Sequence, residues 1–252
     1  VTGLPGSGKS EFIDQIMVNL AQSEGWKFAV ASFENPPPLH IAKLSEKYVG
    51  KPFFEGSPDR MSRVESVNAM KWVSDHFLFL EQRGGDSATI ESILDRARQA
   101  VMRLGIRGLV IDPYNYIAQS KSMDNEHQGI NEMLTKLVSF ARANQIHIWF
   151  IAHPAKMATN PDGTTAVPKG MNISGSAAFF AKADLGVTVH LSPEKDTEIH
   201  VWKCRFKWIG TTGGTVLGYD IPTGRYSEVK WDKLENPYET SKDWNETDSE
   251  WL

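Results

Sequence analysis

The 252-residue chain predicts an α/β fold, a mostly parallel sheet flanked by helices, with antiparallel strands at one edge. Three observations carry this. A glycine-rich turn, Gly3-Leu4-Pro5-Gly6-Ser7-Gly8-Lys9-Ser10, joins an apparent strand end at Val1-Thr2 to an amphipathic helix. Short apolar runs then alternate with stretches of helical periodicity as far as Ala152. From Leu185 onward, closely spaced strands of alternating character follow one another, separated by Gly, Pro and Asp turns.

Each element has its own signal. Phe12, Ile13, Ile16, Met17 and Leu20 recur at helical spacing. Residues 27–34 (KFAVASFE) form an apolar run ending at a carboxylate, and Pro36-Pro37-Pro38 is expected to break the chain there. Residues 39–49 and 61–75 read as helices and 76–81 (HFLFLE) as a strand. Residues 89–104 place Ile90, Ile93, Leu94, Ala97 and Val101 on one helical face. Residues 108–112 (GLVID) and 146–152 (IHIWFIA) read as buried strands around a helix at 125–144. Runs apolar on both sides of the pleat suit a parallel sheet covered by helices. The segments 185–191, 197–206, 214–220 and 225–229 read as the antiparallel additions. Trp26, Trp72 and Trp149 are expected in the core. Residues 1–230 are thus expected to form one domain and 231–252 a tail. A start without Met at the end of the first strand reads as a fragment.

Composition bounds the function. Hydrophobic residues make up 40% and charged residues 23%, an ordinary soluble balance. No apolar run reaches the length of a membrane span, so no membrane association is expected. The single Cys204 excludes an internal disulfide framework and is neutral about compartment, with the cytoplasm of a bacterial or phage-infected cell the default and an organelle left open. Seven carboxylates and two lysines give residues 231–252 a charge of −5, which leaves the body at +1 within the net −4. A near-neutral body argues against broad wrapping of duplex DNA and still permits a few lysines along a channel.

The chemistry begins at the G-x-x-x-x-G-K-S loop. The loop Gly3, Pro5, Gly6, Ser7 and Gly8 would bind the phosphate chain, its glycines letting consecutive backbone N–H groups turn inward. Lys9 would reach the terminal phosphates and the Ser10 hydroxyl would ligate Mg²⁺, so ATP or another NTP is the expected ligand. The partners should lie at the C-terminal ends of neighbouring strands. Asp112, after Leu109-Val110-Ile111, has the form of a Mg²⁺-holding aspartate. Glu34 could deprotonate an attacking water, or be a surface carboxylate before a proline loop. His153 ends its run where a γ-phosphate sensor would sit, though by itself such a histidine is more often structural. Lys203 and Arg205 are two apart on a strand and project from one face. They read either as a solvated edge or as the cations that stabilise a transferring phosphoryl group.

The series GLPGSGKS, SFENPP, LVIDPYN, IWFIAHPAK, NISGSAAFFAKAD and VWKCRFKWIGTTGG resembles the ring-shaped replicative helicases of the DnaB-like superfamily. The similarity is strongest to the Twinkle and phage primase-helicase branch and covers residues 1–230. The resemblance implies a RecA-like P-loop NTPase core that assembles as a hexamer with ATP sites between subunits. It implies Lys9, Ser10 and Asp112 as the Mg·ATP residues and Glu34 as the catalytic base. His153 would be the γ-phosphate sensor, and Arg205, beside Lys203, a finger reaching into the adjacent subunit. Tyr219 would stack on the base. Single-stranded DNA contacts would come from two loops, residues 115–125 with Lys121 and 154–172 with Lys156, Lys169 and Asn172, although these lysines also read as ordinary loop residues. One departure is Ile173-Ser174, where phage relatives carry Arg-Gly. A primase domain or partner is implied. Trp244 and Trp251-Leu252 among carboxylates resemble tails that contact a DNA polymerase, the alternative being a solvated acidic end. The rival functions are a recombinase or DNA-loading ATPase without unwinding, and a nucleotide-binding module without hydrolysis.

Overall fold

The computed structural model describes residues 1–81, 88–117, 126–157, 165–173, 176–192 and 195–229. In chain order these form α1 (Lys9–Glu24), β1 (Phe28–Ser32), α2 (Pro37–Val49), α3 (Arg63–His76), β2 (Phe77–Phe79) and α4 (Ile90–Leu104). Then follow β3 (Gly108–Asp112), α5 (Glu126–Asn144), β4 (His147–Phe150), α6 (Ser176–Lys182), β5 (Leu185–Leu191), β6 (Thr197–Cys204), β7 (Gly213–Asp220) and β8 (Arg225–Glu228). Among the described residues, no helix is long and apolar enough to cross a membrane.

Strands β1 to β4 pair in parallel in the order β2-β1-β3-β4. The antiparallel strands make a sheet of their own, β5-β6-β7-β8. Residues Val1 and Thr2 join the two. Val1 N–H donates to Phe150 O at 2.8 Å and Val1 O accepts from Ala152 at 2.9 Å. Thr2 pairs on its other side with Val187 and Val189 of β5, each at 2.9 Å.

Alternation along the central strands feeds two cores. Phe28, Val30 and Val110 pack with α1, α2 and α3 through Ile13, Met17, Leu44 and Val73. Ala29, Ala31, Leu109 and Ile111 face α4 and α5 through Ile93, Ala97, Ile130 and Leu137. Apolar residues on both sides of the pleat are therefore required, as the parallel sheet predicts. Helix starts follow local chemistry. Ser62 Oγ accepts from Glu65 N–H at 3.3 Å, and Glu65 Oε2 accepts from Ser62 N–H at 2.8 Å, a reciprocal cap on α3.

Three expectations need correction. The proline triplet does not simply interrupt the chain: Pro37 and Pro38 open α2, where the missing N–H groups would be unpaired anyway. The run at 146–152 is only half-buried along β4, because an apolar groove of about 350 Å³ lies against Ile148, Trp149 and Leu185. Trp26, Trp72 and Trp149 pack against the core from its margin, partly exposed.

Candidate nucleotide site

Residues 3–8 wrap the N-terminus of α1, and two glycines are fixed by that path. Gly3 has φ +152°, and a Cβ there would lie 2.2 Å from the Val189 carbonyl oxygen. Gly8 has φ +86° and is the N-cap of α1 without a side-chain cap, leaving first-turn N–H groups turned towards the loop. Pro5 and Gly6 form the exposed crest. Ser7 Oγ is buried with no hydrogen-bond partner among the described residues. Lys9 is buried and donates to Gly3 O at 3.0 Å and Leu4 O at 2.8 Å. Burial pulls its pKa down, against the raising influence of Asp112 and Glu34.

Asp112 ends β3 inside the protein, with the Ser10 hydroxyl close enough to favour its charged form. Burial pushes Asp112 up to about 6, with Asp14 and Glu34 adding to the shift and Ser10 opposing it. Glu34 stands two residues beyond β1, so it belongs to a turn rather than to the strand. That turn is tied to β3 by Phe33 N–H donating to Asp112 O at 2.9 Å. His153 Nε2 lies 3.7 Å from Glu34 Oε1. Burial lowers the His153 pKa and Lys9 lowers it further, against Glu34, so the imidazole is held towards its neutral form. Its Nδ1 is buried with no partner among the described residues.

These groups suit a phosphate chain and a hard cation. Inward N–H groups, the Ser7 hydroxyl and the Lys9 ammonium supply donors. Ser10 and Asp112, neighbours in the site, would supply the oxygen ligands that Mg²⁺ prefers.

Lys203 and Arg205 stand apart from this cluster. Lys203 donates to Phe180 O, and Arg205 donates to Ala181 O and meets Asp184 Oδ1 at 3.0 Å. Both cations thus sit on the C-terminal carbonyls of α6, an electrostatically favourable end. The lysine pKa is lowered, chiefly by burial and then by Arg205. Lys169 and Asn172 meet where residues 154–155 approach 172–173, and Lys156 follows directly in sequence. There Pro154 bridges Ile173, Ala155 N–H donates to Asn172 O at 2.6 Å, and Asn172 Oδ1 accepts from Lys169 N–H at 2.8 Å. Lys121 and the acidic tail lie outside the described residues. Tyr219 turns towards α1 and α2. Its ring lies 4.9 Å from that of Tyr226, and burial with the nearby Glu11 carboxylate pushes its hydroxyl pKa up.

A family model described as an AAA domain matches residues 1–159. The chain belongs to that family. Over 239 residues this AAA protein is 41% identical to the Twinkle homolog protein, chloroplastic/mitochondrial, of Arabidopsis thaliana, covering 90% of the chain and 33% of the relative. It is 28% identical to a probable plasmid replicative DNA helicase of Chlamydia psittaci over 244 residues, 91% of the chain and 51% of the relative. The chain therefore spans about a third and about half of these curated relatives. Among solved structures, one ATPase domain matches with TM-score 0.72 at 16% identity, over 91% of this chain and 83% of that one. A DnaB-like replicative helicase, described with its primase interactions, matches with TM-score 0.73 at 16% identity, over 91% and 58%. The fold is thus RecA-like, and the resemblance to the DnaB-like helicases near the Twinkle branch holds.

The AAA domain also uses residues that the sequence pattern does not single out. Tyr226 Oη donates to Gly8 O at 3.4 Å behind the phosphate loop. His40 Nε2 and Asp14 Oδ1 pair at 2.8 Å in the interior below it. Tyr226 closes the Thr223-Gly224-Arg225 segment, but nothing in that pattern specifies a contact more than two hundred residues away.

Proposed function

We propose that this chain is the ATPase motor domain of an oligomeric replicative DNA helicase, hydrolysing Mg·ATP between subunits and moving along single-stranded DNA. The observation that carries the reading is the convergence of Lys9, Ser10, Asp112, Glu34 and His153 around one phosphate loop. The helicase part is supported by the Twinkle homolog and the plasmid replicative helicase among its relatives.

Loop N–H groups, Ser7 and Lys9 hold the triphosphate. Ser10 and Asp112 would hold Mg²⁺, which when bound neutralises charge on the β- and γ-phosphates. Glu34 accepts a proton from water as the water oxygen bonds to the γ-phosphorus, and the bond to the bridging oxygen breaks to release ADP. His153 donates a hydrogen bond to the γ-phosphate and reports its loss to the loop beginning at Pro154. Arg205 leaves Asp184 and enters the neighbour's site, with Lys203 beside it, placing positive charge where the transition state needs it. Lys121, Lys156, Lys169 and Asn172 track the DNA backbone.

The test is steady-state ATPase with and without single-stranded DNA, together with unwinding of a forked duplex by the full-length protein. Stimulated hydrolysis with unwinding is expected. Stimulated hydrolysis without unwinding would instead mark a recombinase or loading factor. No hydrolysis at all would leave a binding module.

A further inference from the structure

The turn that carries Glu34 is tethered from outside the nucleotide site. Lys43, on α2, meets Glu11 Oε1 at 2.7 Å and donates to Asn35 Oδ1 at 3.3 Å. Asn35 directly follows Glu34, and its N–H donates to Ser32 Oγ at 3.2 Å at the end of β1. Glu11 directly follows Ser10, and its second oxygen meets Lys47 at 2.7 Å. One ammonium thus touches the neighbour of a metal-binding serine and the neighbour of the expected base.

An ordinary staple between α1 and α2 would not need this arrangement. The Lys47–Glu11 pair already joins the two helices, with the lysine side chain wholly buried and its ammonium donating to Gly224 O. Two tyrosine rings enclose that ammonium, their centroids 5.8 and 5.9 Å away. Lys43 is more open, and a partly exposed pair adds little to stability. Its distinctive feature is the second bond, to the Asn35 amide. Burial works against its charge, and the hydrogen bond and charge of Glu11 outweigh that effect, so the pKa is raised and the donor stays fully protonated.

We propose that Lys43 is a positioning residue that sets Glu34 against the phosphate loop, acting through Asn35 on one side and Glu11 on the other. In-line attack tolerates little displacement: a shift of about 1 Å in a supporting group can slow a reaction on the order of a hundredfold. The inference rests on Glu34 being the base.

The experiment compares Lys43→Met, Asn35→Ala, the double variant and Lys43→Arg in the full-length protein on single-stranded DNA. It reads kcat, the affinity for a non-hydrolysable ATP analogue, and the melting temperature. Each single variant should lower kcat about tenfold while analogue affinity changes less than about twofold. The double variant should be no slower than the slower single, because both break one tether. Lys43→Arg should recover most of the rate. Additive losses in the double variant, or analogue affinity falling in step with kcat, would overturn the proposal. If Lys43→Met does not fold, Asn35→Ala still decides, since it leaves the Lys43–Glu11 pair intact, and an unchanged kcat there sinks the idea. Glu34→Gln separates the two levels. Full activity in that variant discards the base itself, whereas an inactive Glu34→Gln with fast Asn35→Ala discards the tether alone.

Discussion

Gly8 sits where three demands meet. It ends the phosphate loop, caps α1, and lies so close to the last strand that a Cβ would stand 2.8 Å from Tyr226 Oη. Gly8→Ala should therefore destabilise the fold by about 2 kcal/mol or more, from the left-handed backbone together with the collision. Tyr226→Phe removes the atom in the way. The double variant should melt above Gly8→Ala alone, and equal melting temperatures would assign the whole penalty to the backbone. Ser10 and Asp112 are legible as a pair from spacing, because strand end and helix start are adjacent by topology. Tyr226 is not legible, because no local pattern announces a contact across the whole chain. Glu34 is legible as a residue but not as a turn position, since the apolar run continues through Phe33 after the ladder of β1 has stopped.

At the scale of elements, α1 and α2 share an interior ion pair. His40 and Asp14 are almost wholly buried at 2.8 Å, and the histidine pKa is raised above its usual 6.5, burial opposing the shift and Asp14 prevailing. A group whose folded pKa is raised contributes fully below its unfolded value and loses that contribution as pH climbs through the folded one. The pair should thus hold the helices best below pH about 6.5 and weaken as pH rises through the raised folded value. His40→Asn should melt well below the parent at pH about 6, with the gap shrinking towards pH about 9. A constant gap would show that the contact does not titrate. Helices and strands themselves are largely readable, β3 to the residue, because apolar periodicity reports burial directly. The opening of α2 is harder to read because a proline triplet looks like an interruption, although its last two members are already shaped for a first helical turn.

For the whole molecule, the question is where Arg205 goes. Its guanidinium rests on Ala181 O and Asp184, at the end of α6. An in-trans role makes a sharp prediction. Arg205→Ala and Lys9→Ala should each abolish hydrolysis, and mixing the two should restore part of it, because one interface in the mixture then carries neither lesion. No recovery at any mixing ratio would count against shared sites. Removal of residues 240–252 should weaken binding to a partner polymerase while leaving ATPase unchanged, and undiminished binding would dispose of that role. Such assembly-level properties are the least readable from one chain, since the proposed partner groups would lie on another molecule.

The clasp on α2 has a consequence for biogenesis. Arg225 donates to the carbonyls of Lys47 at 2.7 Å and Tyr48 at 2.8 Å, and Lys47 in turn holds Gly224. The neighbouring Tyr226 reaches Gly8 of the phosphate loop, so that loop is translated 218 residues ahead of the side chain that backs it. On the ribosome, a nascent chain arrested before this hairpin emerges would display the motif without its backing. The backing itself would form only once that distant stretch of the message has been read.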